Sequence, residues 1–241
     1  MDQPAVTVEL LGRFGFAVDG LPRQLGPALQ RLVAFLAVHS WPSRYVIASM
    51  LWPDHRDDAA LAALRTAVWR LQHQAPGALD AGARTLSLSP RVRVDLNDCL
   101  AWAHRIIRDP ASVDDDELES PTTSAELLPG WDDDWLEPER QRLHQLHIHA
   151  LETAAGEQLR RDRPGQALAT AFAALHADPL RESTHRLLIH IHLAEGNVDS
   201  ALRQYRACRD ALHAELGVAP STALTELVTP YLSRVAPAAD T

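Results

Sequence analysis

Residues 57–74 constrain the fold of this chain more than any other stretch, because they predict a long amphipathic helix. Four apolar residues recur at helical spacing and form one stripe that must be buried: Leu61, Leu64, Val68 and Leu71. A short carboxylate at Asp57 or Asp58 is expected to cap the first turn. The sequence therefore predicts a helix that packs along one side and leaves its other side available.

The opposite face of this helix has a composition typical of a surface that reads DNA. It is small near its start and carries threonine, arginine and a large aromatic ring further on. We expect five residues of this face to contact bases: Ala62, Thr66, Trp69, Arg70 and His73. Small side chains let a helix enter the major groove closely, arginine pairs with guanine, and methyl groups contact thymine. A helix packed on another protein element, with Trp69 as its anchor, would show the same pattern, so both interpretations stay open.

The distribution of charge divides the chain into two parts. Residues 1–97 contain 10 Arg and 8 Asp or Glu, a net charge of +2, whereas residues 98–241 contain 13 Arg and 24 Asp or Glu, a net charge of −11. A weakly basic part followed by a strongly acidic part indicates two domains with different partners. We therefore predict one domain over residues 1–97 and a second over residues 98–241.

The elements predicted for the first of these domains follow the order of a winged helix-turn-helix. Short strands over residues 6–25 precede a first helix, a second helix over 44–51 that buries Val46, Ile47 and Met50, the long helix, and a hairpin. This hairpin joins residues 84–88 to 92–94 and would be the wing, which lies along the DNA backbone or minor groove. The leading strands are typical of the OmpR-like variant. Five arginines are expected to contact phosphates: Arg44, Arg65, Arg84, Arg91 and Arg93.

The second half of the chain predicts an all-helical domain. Two Ala-Leu pairs, at residues 167–168 and 201–202, lie 34 residues apart, which is the period of tetratricopeptide helix pairs. Residues 109–124 are acidic, contain two prolines and predict a loosely packed loop. The predicted fold class is therefore mainly α with small β elements, an N-terminal OmpR-like winged helix-turn-helix followed by an all-α tetratricopeptide-like helical domain.

Nothing in the sequence indicates an enzyme. There is no Gly-rich phosphate loop, HExxH or GxSxG string, and the spacing of His144, His147 and His149 does not place all three on one helix face as a metal site requires. Cys99 and Cys208 are expected to be reduced, buried thiols. We predict no catalytic residues, no cofactor and no metal. Without a signal peptide or a membrane-spanning stretch, the expected location is the cytoplasm, at the nucleoid.

Several strings in the second half resemble a known domain of bacterial regulators, the bacterial transcriptional activator domain (BTAD). They are LPGW at 128–131, WL at 135–136, ERQRL at 139–143, ALHADPLRES at 174–183, ALRQYR at 201–206 and ELGVAPS at 215–221. With a winged helix in front of these strings, the whole chain resembles the SARP family, the actinobacterial activators of antibiotic biosynthesis genes. The chain resembles a small member of this family, which lacks the ATPase and sensor repeats of larger members.

The resemblance implies a sequence-specific DNA-binding transcriptional activator. SARP proteins bind direct repeats upstream of promoters as side-by-side protomers and recruit RNA polymerase through its sigma factor, alpha C-terminal domain and beta subunit. The expected partners are therefore double-stranded DNA, RNA polymerase holoenzyme and a second copy of this chain, and the expected target is a secondary-metabolite gene cluster. An alternative stays open, in which a degenerate winged helix no longer binds DNA and the chain is a protein-interaction adaptor or ligand-sensing module.

Overall fold

The computed structural model describes residues 5–40, 42–82, 84–120 and 126–232. The predicted fold class is confirmed, since the chain is mainly helical with small strands near its N-terminus. The strands are β1 (Val6–Glu9), β2 (Gly15–Val18), β3 (Leu21–Pro22), β4 (Leu79–Ala81), β5 (Leu86–Leu88) and β6 (Arg93–Val94). The helices are α1 (Pro27–Val38), α2 (Arg44–Leu51), α3 (Asp57–Gln74), α4 (Asp95–Arg108), α5 (Leu136–Arg160), α6 (Pro164–Ala177), α7 (Glu182–Ala194), α8 (Val198–Leu216) and α9 (Thr222–Leu232).

The chain folds into two compact units that interleave in sequence. The first unit contains Met1–Leu100 and Thr122–Leu143, and the second contains Ala101–Pro121 and His144–Thr241. The predicted division after residue 97 therefore differs from the packing, because a later segment returns to the first unit. As an assignment of domains, that division stays a prediction. Among the described helices, none is long and apolar enough to cross a membrane.

The first unit is built on a four-stranded sheet in the order β3-β2-β1-β6. β1 runs antiparallel to β2, with Val6 opposite Val18, and parallel to β6, with Val8 opposite Val94. Side chains alternate between the two faces of a strand. One face of this sheet is accordingly apolar and joins the core of the unit through buried residues: Val6, Val8, Phe16, Val18 and Val94.

Helix α3 packs its predicted apolar stripe into the same core. Leu64, Val68 and Leu71 are buried, whereas Leu61 is only half-buried. The predicted cap is wrong, because Arg56 is the N-cap residue and makes no side-chain capping bond. The acidic pair after it lies inside the first turn, where carboxylates still interact favourably with the helix dipole.

The predicted pairing of the wing hairpin is also wrong. β5 pairs antiparallel with β4, not with residues 92–94, and the turn of this hairpin contains Arg84. The chain turns again after β5, where Val92 N–H donates to the Ser89 carbonyl at 2.9 Å, and then adds β6 to β1. Burial explains the choice of partner, since Val94 is 3% exposed and can reach the core only beside β1. Alternation along a strand does not reveal which strand it will pair with.

Residues 126–143, here called the returning segment, complete the core of the first unit. Leu127 forms an isolated β-bridge with Leu11, and the Leu128 N–H donates to the Leu10 carbonyl at 2.9 Å. Apolar side chains of this segment are buried in the same cluster as α1 and α3: Leu127, Leu128, Trp135, Leu136 and Leu143. The Arg140 guanidinium donates to three carbonyls of the segment, those of Leu127, Leu128 and Trp131. The segment therefore satisfies its own backbone while it covers the core.

The second unit is helical, and its helices α6 to α9 form two consecutive pairs at the predicted 34-residue spacing. Equivalent residues Ala167 and Ala201 are both buried, as the repeat requires. The sequence pattern also predicts a last helix over residues 221–235. It corresponds to α9, and residues 233–235 lie outside the described part of the chain.

The acidic stretch before α5 is packed, contrary to the loose loop that its composition predicts. Within its described residues, Val113 and Leu118 are buried, and the Trp102 Nε1–H donates to the Glu117 carbonyl at 3.0 Å. The Arg161 guanidinium pairs with Asp115 at 2.8 Å. It also donates to three carbonyls of the stretch, those of Pro110, Ala111 and Val113. The burial of two apolar side chains and the several hydrogen bonds of one arginine therefore keep this stretch packed despite its acidic composition. Residues 121–124 of the predicted loop lie outside the described range.

We predict that Leu127→Ala destabilises the first unit by about 2–5 kcal/mol, because the Leu127 side chain is buried in the core and its truncation leaves a cavity there. Urea unfolding followed by tryptophan fluorescence measures this change. Leu21→Ala is the matched control, since Leu21 is 61% exposed and its truncation should change stability by less than about 0.5 kcal/mol. Equal effects of the two substitutions would contradict the packing of the returning segment.

Candidate nucleic-acid interface

The five residues predicted to contact bases lie together on the exposed face of α3. They are all exposed: Ala62, Thr66, Trp69, Arg70 and His73. The Trp69 side chain is 59% exposed and its ring packs on that of His73 with centroids 4.0 Å apart. The Thr66 hydroxyl donates to the Ala62 carbonyl at 3.0 Å. The face is therefore a continuous surface of small, cationic and aromatic side chains on a helix whose other side is buried.

Helix α2 packs beside α3 through three buried side chains and one hydrogen bond between side chains. Ile47, Ala48 and Leu51 are buried, and the Tyr45 hydroxyl donates to Asp57 Oδ2 at 3.4 Å. The Ser43 Oγ accepts from the Val46 N–H at 3.2 Å and caps the helix.

The outer side of α2 is more apolar than the sequence indicates. Tyr45, Val46 and Met50 are each more than 40% exposed, so the prediction that Val46 and Met50 face inward is wrong. An eight-residue helix can bury only one narrow stripe, here Ile47, Ala48 and Leu51, and a short apolar run does not show which of its members that stripe contains.

The wing is anchored to the start of α2. Ser43 forms a β-bridge with Thr85, and the Arg44 N–H donates to the Arg84 carbonyl at 3.0 Å. The Arg44 guanidinium reaches the Gly82 carbonyl at 3.5 Å. Two of the arginines predicted to contact phosphates, Arg44 and Arg84, therefore lie together where the hairpin meets the helix-turn-helix.

The other three predicted phosphate contacts lie elsewhere in the first unit. Arg65 is exposed on α3, Arg91 is exposed in the turn after β5, and Arg93 lies on β6, where it pairs with Asp98 at 3.1 Å. The structure therefore does not bring Arg91 and Arg93 onto the wing hairpin. Their contact with phosphate stays a prediction, as does that of the other arginines.

Sequence reasoning missed Arg56, which is exposed at the N-cap of α3. Its position directly before α3 was a usable signal, because phosphates commonly bind at helix N-termini. This cation also offsets the two carboxylates in the first turn of that helix, Asp57 and Asp58.

The histidines of α5 differ in burial and do not form a metal site. His147 is buried against Trp102, with ring centroids 5.6 Å apart, while His149, two residues further along α5, is exposed. Burial lowers the pKa of His147 to about 4, and the charge of His144 acts in the same direction. Across the described residues, no group of three or more His, Cys, Asp or Glu side chains is arranged to hold a metal ion.

Comparison with known proteins supports a regulatory role for this architecture. Residues 124–230 match the family model of the bacterial transcriptional activator domain. The fold is similar to that of Mycobacterium tuberculosis EmbR, solved in complex with a low-affinity phosphopeptide, with a TM-score of 0.75 and 20% sequence identity. The second half of the chain therefore contains a bacterial transcriptional activator domain, and the resemblance of its sequence strings to that domain is confirmed. The winged helix followed by a helical domain is the arrangement that the fold of this chain shares with EmbR.

The match to EmbR covers 96% of this chain and 66% of the EmbR chain, so this chain spans about two thirds of that protein. At 20% identity the likeness concerns the fold, and the phosphopeptide is a ligand of EmbR. A search of curated proteins finds no match to this sequence.

We predict that His147 makes the stability of the second unit fall in acid. Its pKa is about 4 in the folded chain against an ordinary value of 6.5, so the unfolded state binds the proton more readily. The stability that His147 contributes is therefore complete above pH 6.5 and is lost as the pH falls toward 4, by up to about 1.4 kcal/mol per pH unit.

His147→Gln cannot take up this proton and should flatten the dependence of unfolding free energy on pH. Urea unfolding at several pH values between about 7.5 and 4.5 measures it. A slope equal to that of the wild type would show that His147 does not titrate on unfolding.

Proposed function

We propose that this chain is a SARP-family regulator, a sequence-specific DNA-binding transcriptional activator. The observation that carries the proposal is the geometry of α3, which buries one side in the core and leaves Ala62, Thr66, Trp69, Arg70 and His73 exposed on the other. A helix presented in this way behind a shorter helix and beside a hairpin is the arrangement that enters the major groove. We therefore assign base recognition to this face.

Each residue of this face has a chemical role in the proposal. Ala62 lets the helix backbone approach the groove, Thr66 and Trp69 contact thymine methyl groups or sugars, and Arg70 donates to the acceptor edge of guanine. His73 supports the ring of Trp69 through their stacking contact. Sequence preference would then come mainly from Arg70, because a bidentate arginine–guanine pair discriminates more strongly than an apolar contact.

Backbone contacts would come from the arginines around this face. We assign phosphate contacts to Arg44 and Arg84 at the wing junction and to Arg65 on α3, with Arg91 and Arg93 as further candidates. Because residues 1–97 carry a net charge of only +2, the affinity of one protomer for DNA should be modest. Two protomers side by side on direct repeats would raise the affinity through their high effective concentration.

The helical half of the chain supports the second part of the proposal, activation. The match to the bacterial transcriptional activator domain covers most of this half. We propose that it contacts RNA polymerase holoenzyme, through the sigma factor, the alpha C-terminal domain and the beta subunit. The controlled genes would be a secondary-metabolite cluster, and the protein would act at the nucleoid in the cytoplasm.

An adaptor without DNA binding is the second candidate function. The exposed apolar side chains of α2 and α3, Tyr45, Met50 and Trp69, favour it, since such groups also serve as anchors in protein interfaces. The two candidates differ in a measurable way, because an adaptor would not distinguish an operator from scrambled DNA.

We predict that Arg70→Ala reduces the preference for the operator by about five- to 150-fold, because one arginine–guanine contact is worth roughly 1–3 kcal/mol. Fluorescence anisotropy with labelled promoter DNA from the neighbourhood of the gene, and with scrambled DNA, measures the preference across a salt series. Wild-type protein should prefer the operator by at least about a hundredfold. Operator binding by Arg70→Ala as tight as that of the wild type would refute the assignment, and equal wild-type binding to both DNAs would refute sequence-specific recognition.

We predict that Arg84→Ala weakens binding to all sequences alike and reduces the slope of affinity against salt by about one unit, as expected for a lost phosphate contact. Arg93→Ala is the matched comparison, because it removes the same charge from β6 rather than from the wing hairpin. Its effect should be smaller, since Arg93 already pairs with Asp98. A larger effect of Arg93→Ala in the same anisotropy assay would place the phosphate contact on the sheet side.

A further inference from the structure

Arg31 of α1 joins three parts of the first unit through one guanidinium. Its Nε and Nη2 donate to Asp133 Oδ1 at 2.7 and 2.5 Å, and its Nη1 donates to the Leu51 carbonyl at 2.8 Å. Asp133 belongs to the returning segment 126–143, and Leu51 is the last residue of α2. One side chain therefore connects the returning segment to the helix-turn-helix.

The carboxylate in this contact differs from its neighbours. The Asp133 side chain is only 11% exposed, whereas Asp132 and Asp134 on either side of it are exposed. Charge-assisted bonds of this kind are stronger where water is partly excluded than at an open surface. Of the three consecutive aspartates, the middle one therefore has a structural role that the other two do not share.

The Leu51 carbonyl lies at the C-terminal end of α2, where the chain turns toward α3. The last carbonyls of a helix have no partner within it, and a cation at that end also interacts favourably with the helix dipole. The Arg31 guanidinium supplies both the hydrogen bond and the charge. Only residues 52–56 separate this point from the start of α3, so the position of the α2 end constrains the turn into the reading helix.

The returning segment is itself fixed in place, so it can act as a reference for α2. The Leu136 N–H donates to the Asp133 carbonyl at 2.9 Å, which begins α5 next to the ion pair. Trp135 packs edge-on against Phe35 of α1, with ring centroids 5.2 Å apart. Asp133 is thus held from both sides before it meets Arg31.

We propose that Arg31 and Asp133 are positioning residues for DNA recognition, which hold the end of α2 and thereby the orientation of α3 in the groove. This inference rests on the proposed function. It adds that residues inside the matched activator-domain range, 124–230, help to set the geometry of the DNA-reading surface.

Asp133→Asn in the full chain tests the proposal, with Asp134→Asn as a control that makes the same change of charge on the exposed neighbour. Operator and scrambled DNA are titrated by anisotropy over a salt series. We expect Asp133→Asn to lower operator affinity by about three- to thirtyfold, the range of couplings carried through packed networks, with an unchanged salt slope and unchanged binding to scrambled DNA. Asp134→Asn should match the wild type.

Two further measurements separate positioning from simple stability. Hydrogen exchange of the 52–58 amides should become faster in Asp133→Asn but not in Asp134→Asn, at a temperature where circular dichroism shows both variants folded. Arg31→Lys is the second variant, and it should lose operator preference too, because an ammonium group lacks the planar fork that spans the carboxylate and the carbonyl. It also keeps the test decisive if Asp133→Asn does not fold.

The outcomes distinguish failure of the proposed function from failure of the positioning role of Arg31 and Asp133. No operator preference in the wild type would overturn the proposed function and the recognition role together. Wild-type preference with identical binding by Asp133→Asn and Asp134→Asn would overturn this inference alone. Equal losses on operator and scrambled DNA would also overturn it, because they would indicate a smaller folded fraction and not a changed geometry.

Discussion

The first unit depends on the burial of one side of α3. Leu64 and Leu71 are almost completely excluded from solvent and bring α1, α2 and the N-terminal sheet onto one core. Burial of apolar surface of this size supplies the main stabilising free energy of such a domain. Because the apolar residues form a single stripe, the helix cannot be rotated without exposing them. The same constraint that stabilises the unit therefore decides which side chains of α3 face outward, and these are the side chains to which we assign base recognition.

The returning segment extends this dependence beyond the helices of the winged fold. Leu127 and Trp135 close the core that α1 begins, and Arg140 satisfies the carbonyls that such an irregular segment would otherwise bury without partners. The acidic string at 132–134 has two different roles within three residues, since only Asp133 is drawn inward to an arginine. A segment that belongs to the activator domain by sequence thus belongs to the winged-helix unit by packing.

Features that depend on local periodicity were predictable, and features that depend on partners distant in sequence were not. The stripe of α3 and the 34-residue repeat follow from spacing within one or two elements. The pairing of β6 with β1, the packing of residues 109–120 and the ion pair of Arg31 with Asp133 depend on residues brought together by the fold. In the candidate site, the outward face of α3 was correctly located. Arg31 escaped notice because an arginine on an otherwise apolar helix carries no sign of what it will bind.

The low net charge of residues 1–97 limits how strongly the exposed face of α3 and its surroundings could attract DNA. With a net charge of only +2 over residues 1–97, long-range attraction to DNA is weak, and several of the arginines are shared with protein acceptors: Arg31, Arg44 and Arg93. Non-specific affinity scales with the number of phosphates neutralised, so it should be low for one protomer. Discrimination must then come from a few well-oriented contacts and from the pairing of protomers. Under those conditions a small error in the angle of α3 has a large effect, because little non-specific affinity remains to compensate for a lost base contact. The hydrogen bonds from Asp133 through Arg31 to the end of α2 are the kind of constraint that the proposed DNA recognition would require of a weakly charged surface.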